Sequence, residues 1–438
     1  MYKDDKLNNL IDILKGIISE KSSLDNAYIV GGAVRDILIQ RPVIDIDIAI
    51  NTDPYKIASL FADSINGSYV PLNKKFMTAR VVKDKYIFDI SILHNGSIED
   101  DIKRRDFTIN AMAISLNDKT QTIDLVDGIK DTNNKRIRLI SIDNLAADPV
   151  RLIRAFRFMS SLEFDIESGT LNAVIELKHL IKLPAVERIY AELKILLSSN
   201  NAFDAVNLMS QTGLLFELIP EIAPKDFDAN LQLFKEIENI FINLKGQPYC
   251  NQMREYFSSK PHIIILLKFA ALFMYDQSRG TIHRAPTLIT NILERFKASQ
   301  KEIRYMNILT ENICKDNICP YFYTKKKIDL ARFLMRIDGH VYSLFVLSLS
   351  MVRVIKGTDE DKFIESAAEI LSYYNNEYLP LSKKPRLING DDLEEIFGIE
   401  PSVQFREILN MVEEKRLAGE ICSKEEAVRV VEKFLADR

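Results

Sequence analysis

The stretch Tyr28-Ile29-Val30-Gly31-Gly32-Ala33-Val34-Arg35-Asp36, followed by Ile44-Asp45-Ile46-Asp47-Ile48-Ala49-Ile50, decides how this chain is read. Tyr28 to Val30 is a short strand, and Ala33 to Ile39 is one or two helical turns. Residues 44–50 form a second strand in which carboxylates alternate with isoleucines. On a strand, i and i+2 point to the same side, so Asp45 and Asp47 face one point. Adjacent carboxylates repel and raise each other's pKa, a cost that a divalent cation removes. Oxygen-only ligation suits Mg²⁺, which commonly takes one or two carboxylates plus substrate phosphates. Asp-x-Asp alone also fits an exposed strand with alternating faces.

The glycine pair narrows that choice. Gly31 and Gly32 let backbone approach a triphosphate, the next helix offers free N–H groups, and Arg35 can clamp phosphate oxygens. Gly-Gly-x-Val-Arg-Asp followed closely by Asp-x-Asp points to nucleotidyl transfer. Further strands are expected at 79–82 and 86–90, with strand or short helix–strand pieces at 109–115 and 122–125, so residues 25–140 read as a small α+β domain. Asp89, at the end of a neighbouring strand, is a candidate third metal carboxylate or else a plain hydrogen-bond acceptor.

The chain has 438 residues, 47% hydrophobic and 27% charged, with a formal net charge of −4. This is a folded composition without a globally basic coat, although a local basic groove remains open. Four cysteines in a chain of this length do not make a disulfide framework, so a reducing cytoplasm is expected. Cys314 and Cys319 lack a second ligand pair at zinc spacing. Residues 1–22 read as an amphipathic helix, and no apolar run is long enough for a bilayer. From Asp143 onward the pattern is almost wholly helical and punctuated by prolines.

Asp148-Pro149 reads as a helix opening, with Asp as N-cap and Pro at the first helical position. Asp148, Arg151, Arg154 and Arg157 then recur every three residues among Leu152, Ile153, Ala155, Phe156 and Phe158. Arginines in such a setting need anionic partners, and Arg154 and Arg157 could face a triphosphate. A salt-bridge-laced helix fits the same spacing. Asp148 and Arg151 match the amine-donor and ring-nitrogen-acceptor edge shared by cytosine and adenine. Uracil and guanine put a carbonyl where that amine would be, so the pair predicts CTP and ATP as substrates.

Together these motifs resemble the class II tRNA nucleotidyltransferases and the related bacterial poly(A) polymerases. Arg104-Arg105-Asp106-Phe107-Thr108-Ile109-Asn110 resembles the family's second motif, which implies nucleotide contacts for Arg105, Asp106 and Asn110. Asp124-Leu125-Val126-Asp127-Gly128 resembles the third, 147–158 the fourth and 187–193 the fifth. Asn389-Gly390-Asp391-Asp392-Leu393 and Gly419-Glu420-Ile421 resemble the C-terminal tail. The resemblance implies a polymerase-beta-like mixed-sheet α+β head (1–140), followed by an all-helical neck (141–200), body (201–310) and tail (311–438). It implies addition of the tRNA 3′-terminal CCA, or part of it, with release of pyrophosphate.

Three departures qualify it. Ala147 stands where the family usually has Glu. The segment Ser91–Gly96 is short, as in relatives that add only CC and need a separate A-adding enzyme. Tyr275 stands where a His-Asp phosphohydrolase helix would carry His, so that region reads as structural, with His262 a helix-start or core residue. An ATP-only poly(A) polymerase and a non-catalytic RNA-binding relative are the other readings. The mixed-charge C-terminal helices favour tRNA over poly(A) addition, and intact Asp45, Asp47, Arg105, Asp148 and Arg151 oppose the non-catalytic one. Lys325, Lys326 and Lys327, beside Tyr321, Phe322 and Tyr323, are candidate RNA contacts, or a solvated run beside core aromatics.

Overall fold

The computed structural model describes residues 4–21, 26–73, 77–118, 122–222, 224, 227–274, 285–313, 319–354 and 359–437. The chain divides into two compact units, Met1–Leu218 and Ile219–Arg438. The segment expected as the body, 201–310, therefore contributes to both.

The first unit opens with α1 (Asp5–Lys21), whose Leu7, Leu10, Ile11, Leu14 and Ile18 are buried on one face. Then come β1 (Ala27–Val30), α2 (Gly32–Leu38), β2 (Asp45–Ile50), α3 (Pro54–Ile65), β3 (Ser68–Asn73), β4 (Thr78–Lys83) and β5 (Tyr86–Ile92). α4 (Ile98–Lys103), β6 (Met112–Ser115), β7 (Thr122–Asp124) and α5 (Gly128–Asn133) complete the head. Seven strands form one sheet in the order β3-β4-β5-β2-β1-β6-β7. Only the β2–β5 pairing in that sheet is parallel. The sheet is thus mixed.

Several elements go beyond the sequence reading, among them α3 and β3. α3 starts on a strong signal, Asp53 capping Tyr55 and Lys56 with Pro54 at the first turn. β3 contains Pro71 and lies at the sheet edge, where a missing N–H is tolerated.

The alternation on β2 fixes the sheet's orientation. Ile46, Ile48 and Ile50 are at most 1% exposed and join Ile29, Phe61, Phe88 and Ile90 in the core beneath α1 and α3. Each such side chain contributes roughly 1.5–3 kcal/mol on burial. A one-residue slip would put Asp45 and Asp47 into that core, so the register is strongly specified. On the opposite face Tyr28, Val30, Ala49 and Ala113 pack with Ile98 and Ile102 of α4.

Beyond the head, α6 (Ile142–Ala147), α7 (Val150–Leu162), α8 (Ser168–Leu177) and α9 (Val186–Ser198) carry the remaining motifs of this unit. The third motif is a helix cap: Asp124 accepts from the N–H groups of Val126, Gly128 and Ile129 at the start of α5.

The second unit is helical. Val341–Val354 is buried from Val341 through Val352 and forms its centre. Ile388, Leu393, Ile408, Val412, Ala427 and Val431 form a separate C-terminal cluster. The tail motif is structural here: Asn389 and Asp392 form a capping box on Gly390–Phe397, and Lys424 pairs with Asp392. Among the described residues no single helix is long and apolar enough to cross a membrane.

Gly128 packs α5 onto the segment that carries Asn110. A Cβ there would run into the Thr108 carbonyl oxygen and lie 2.8 Å from Met112 Cγ. Gly128→Ala is expected to destabilise the head by about 1–3 kcal/mol through overpacking, measurable by denaturant unfolding.

Candidate active site

Register brings the carboxylates together. Asp47 lies opposite Asp89 across the parallel β2–β5 pair and opposite Val30 of β1. Asp45 and Asp47 are exposed while Ile46 and Ile48 are buried. Water reaches Asp47, yet protein crowds it on several sides. That desolvation raises its pKa, Asp89 and Asp45 add to the rise, and Arg105 and Arg154 oppose it.

Asp89, the candidate third ligand, has another partner. Its Oδ1 and Oδ2 accept from Arg80 Nε and Nη2, both at 2.8 Å. Arg80 is the residue facing Asp89 across β4–β5, so register fixes this bidentate pair. Asp89 thus shares its oxygens with Arg80, whereas Asp45 and Asp47 accept no hydrogen bond from protein among the described residues and are the stronger metal candidates. Among the described residues no group of three or more His, Cys, Asp or Glu could hold a metal ion. The fit rests on two hard oxygen donors on an open face plus oxygens from a bound triphosphate, which is Mg²⁺ chemistry.

Gly31 brings backbone to this point. It has φ 74°, and a Cβ there would lie 2.8 Å from Arg105 Nη1 and 3.1 Å from Asp47 Oδ2. Gly32 opens the seven-residue α2. Arg35 departs from the expected phosphate clamp. It is 7% exposed, donates to Asn110 Oδ1 at 2.6 Å and to Asp36, and lies 5.4 Å from the Phe158 ring centre. With those partners it lines neither cleft described below. It props Asn110 instead.

The arginines of the fourth motif meet protein carboxylates. Arg154 bonds Asp106 Oδ2 through Nε at 2.8 Å and pairs with Glu192 Oε1 at 3.2 Å. Arg157 Nε lies 2.6 Å from Glu192 Oε2, an ion pair without hydrogen-bond alignment. The expected triphosphate-facing role is thus modified: the anions that let these arginines be buried are Asp106 and Glu192. Burial pushes the Asp106 carboxyl up, but Arg154, the Phe107 N–H and Asn110 prevail and hold it down at about 2.

Asp148 also departs from its expected cap. It terminates α6 with φ −140°, Pro149 precedes α7, and no side-chain cap bond forms. Its Oδ2 accepts from Arg188 Nη2 of α9 at 2.8 Å. Arg151 Nη1 donates to the carbonyls of Arg104 and Asn144, and among the described residues Nε and Nη2 have no partner.

Two clefts lie here, one lined in part by Asp47 and the other by its neighbour Arg105. One, about 410 Å³, is lined by Arg104, Arg105, Asp106, Asp148, Arg151, Arg154 and Arg188 among others. The second, about 450 Å³, is lined by Asp47, Thr78, Asp89, Ser91, His94, Asn95 and Arg104 among others. Arg104 borders both. The short connection after β5 forms a turn at His94–Gly96, and Ser97 caps α4.

Sequence reasoning gave no role to Asp101 and read Arg188 and Glu192 only as part of a neck element, whereas Arg104 belonged to the Arg-Arg-Asp run expected to contact the nucleotide. The i, i+4 spacing of Arg188 and Glu192 was the available signal.

In the second unit Lys325 and Lys326 are exposed, and Lys327 pairs with Glu377. Phe322 is core, Tyr321 stacks on Phe333 at 4.2 Å, and Tyr323 is exposed. His262 is exposed in the first turn of Pro261–Ala271. Tyr275, His283 and Cys314 lie outside the described residues.

Comparisons with known proteins bear on this geometry. The family described as Poly A polymerase head domain matches residues 27–97 and 91–138. That described as Probable RNA and SrmB-binding site of polymerase A matches 163–226. A CCA-adding enzyme of Ligilactobacillus salivarius is 28% identical over 428 residues, covering 94% of this chain and 93% of the relative. A CC-adding tRNA nucleotidyltransferase of Halalkalibacterium halodurans is 36% identical over 217 residues, covering 48% of this chain and 56% of the relative. A Thermotoga maritima CCA-adding enzyme complexed with tRNA shares the fold, with TM-score 0.66, 22% identity and coverage of 99% and 96%. A CCA-adding enzyme complexed with ATP does so with TM-score 0.69, 22% identity and the same coverage.

Two outcomes are expected. Gly31→Ala should abolish activity while leaving the head folded, as seen by circular dichroism, because the added methyl meets Arg105 and Asp47. The Asp106 contribution to stability is present above the ordinary carboxyl value of 3.8 and is lost as pH falls through about 2. Asp106→Asn should therefore cost about 2 kcal/mol at pH 7, with the gap to the unaltered protein narrowing by roughly half at pH 3 in urea unfolding.

Proposed function

We propose that this chain, which is similar to CCA-adding tRNA nucleotidyltransferases and to the poly(A) polymerase head domain, adds the 3′-terminal CCA, or part of it, to tRNA from CTP and ATP. The observation that carries this reading is the placement of Asp47 beside Arg105, which with Arg104, Asp148 and Arg151 lines a cleft. The reaction joins the tRNA 3′ oxygen to the α-phosphorus of the incoming nucleotide. The bond to the pyrophosphate oxygen breaks, and the 3′-hydroxyl proton is lost.

In this reading Asp45 and Asp47 hold Mg²⁺. A bound divalent cation neutralises phosphate charge and eases loss of the hydroxyl proton. Arg105 meets the phosphates beside Gly31, while Asp106, Asn110, Arg154 and Arg157 hold the cleft wall rigid. Asp148 accepts from the exocyclic amine of cytosine or adenine, and Arg151 donates through Nε or Nη2 to the ring nitrogen. The Arg188 partner of Asp148 is half exposed, and such pairs contribute about 0–1 kcal/mol, so a base can share or displace it. The helical segments beyond residue 200 carry the tRNA, with Lys325, Lys326 and Lys327 among its contacts. The cytoplasm is its place of action.

The short connection Leu93–Ser97 favours a second reading, addition of CC alone followed by a separate A-adding enzyme.

Purified protein with Mg²⁺ and a tRNA transcript lacking CCA, given CTP, ATP or both, tests this by product length. Three added residues are expected for the first reading and a stop at two for the second. An ATP-only ladder would favour a poly(A) polymerase. Asp45→Ala is expected to remove incorporation by at least about 1000-fold while tRNA binding persists in a filter assay. Incorporation near the unaltered level would refute the carboxylate assignment.

A further inference from the structure

α4 carries a buried acid that the reaction scheme leaves unused. Asp101 is 2% exposed. Its Oδ1 accepts from Arg104 Nε at 3.2 Å and Nη2 at 2.9 Å. Its Oδ2 accepts from Arg105 Nε at 3.1 Å and Nη2 at 2.7 Å. Each carboxylate oxygen thus takes one edge of one guanidinium. Ser97 caps the helix start, and buried Ile98 and Ile102 anchor α4 to the sheet. The acid is therefore fixed from below, and the two arginines are fixed by it.

The charge arithmetic is one carboxylate against two guanidiniums, a surplus of one positive charge. Arg105 Nη1 is left beside Gly31 and within reach of the Asn110 carbonyl at 3.4 Å. Arg104 Nη1 makes no hydrogen bond among the described residues, and its side chain is 42% exposed where the two clefts meet. The Arg104 carbonyl in turn accepts from Arg151 Nη1 at 2.9 Å. The pair so held stands between Asp47 and the base-reading helix, where a polyanionic chain linking the two would lie.

We infer that Asp101 is a positioning residue for the triphosphate: it clamps Arg104 and Arg105 in parallel, so that their outward N–H groups meet phosphate oxygens. The inference rests on the nucleotidyl-transfer reading above. Burial raises the Asp101 pKa, but Arg105 and Arg104 outweigh it and keep the acid ionised.

Removing the charge has two opposing effects. It adds one net positive charge to the cleft, and it frees two long side chains that must then be ordered by the ligand. Ordering dominates, because guanidiniums gain from carboxylates and phosphates through fixed fork geometry. A misplacement near 1 Å is worth on the order of 100-fold.

The test compares the unaltered protein with Asp101→Asn and Asp101→Glu. Inorganic tripolyphosphate serves as the probe, by calorimetry and as an inhibitor of CTP addition. Asp101→Asn should raise the tripolyphosphate dissociation constant and the KM for CTP together by about 10- to 100-fold, with kcat and the CTP-over-UTP preference much less changed. Asp101→Glu, which keeps the charge and shifts the clamp, should fall between. Unchanged tripolyphosphate binding overturns the inference. Tighter binding overturns it too, since Asp101 would then act as an electrostatic brake. Should Asp101→Asn not fold, Arg104→Gln on the exposed arm should weaken tripolyphosphate binding, and unchanged binding there overturns the inference. If the unaltered protein incorporates no nucleotide, the transfer reading fails separately, and calorimetry with tripolyphosphate still decides Asp101.

Discussion

A central strand can carry two carboxylates on one face only if its other face is apolar enough to hold the register. Ile46, Ile48 and Ile50 supply that hold, and they fit against Phe61, Phe88 and Ile29. The parallel neighbour β5 then sets Asp89 opposite Asp47, and β4 sets Arg80 opposite Asp89. Repulsion among the acids is therefore built in by strand geometry. It is partly relieved by Arg80 on one side and by Arg105 on the other. What remains unsatisfied, chiefly at Asp45 and Asp47, is the capacity to receive a cation and the phosphates that come with it.

Around that point the molecule uses acids to place arginines. Asp101 takes Arg104 and Arg105, Asp106 takes Arg154, and Glu192 takes Arg154 and Arg157. Removing one member of such a pair is unfavourable, by about 2 kcal/mol at Asp106, because the partner is left uncompensated. The same pairs join α4, the Asp106 turn, α7 and α9 into one frame. Groups proposed to read a base and groups proposed to meet phosphates are thereby held at fixed separation.

Much of this was legible in the residues. The Asp45–Ile50 alternation, the glycine turn and the apolar faces of α1 and α7 follow local periodicity, which sequence records directly. The Arg80–Asp89 pair was not legible, because cross-strand register is a property of pairing and not of either strand alone. Asp148-Pro149 has the spelling of a helix opening, but a preceding helix ends on Asp148 and Arg188 captures its side chain. Arg35 illustrates a further limit: the glycine motif predicts a phosphate clamp, whereas Asn110, Asp36 and Phe158 enclose it. Lys325 to Lys327 sit beside aromatics whose partners, such as Phe333 for Tyr321, are apparent only after folding.

The central claim is that side chains of this protein, and no nucleic-acid template, choose the base. The most direct measurement is kcat/KM for CTP and UTP, on a tRNA transcript lacking CCA, for the unaltered protein and for Asp148→Ala. The account predicts strong preference for CTP in the former. In the variant it predicts a preference reduced by at least about 10-fold, with binding of the triphosphate end little changed. A variant that discriminates against UTP as well as the unaltered protein would contradict it.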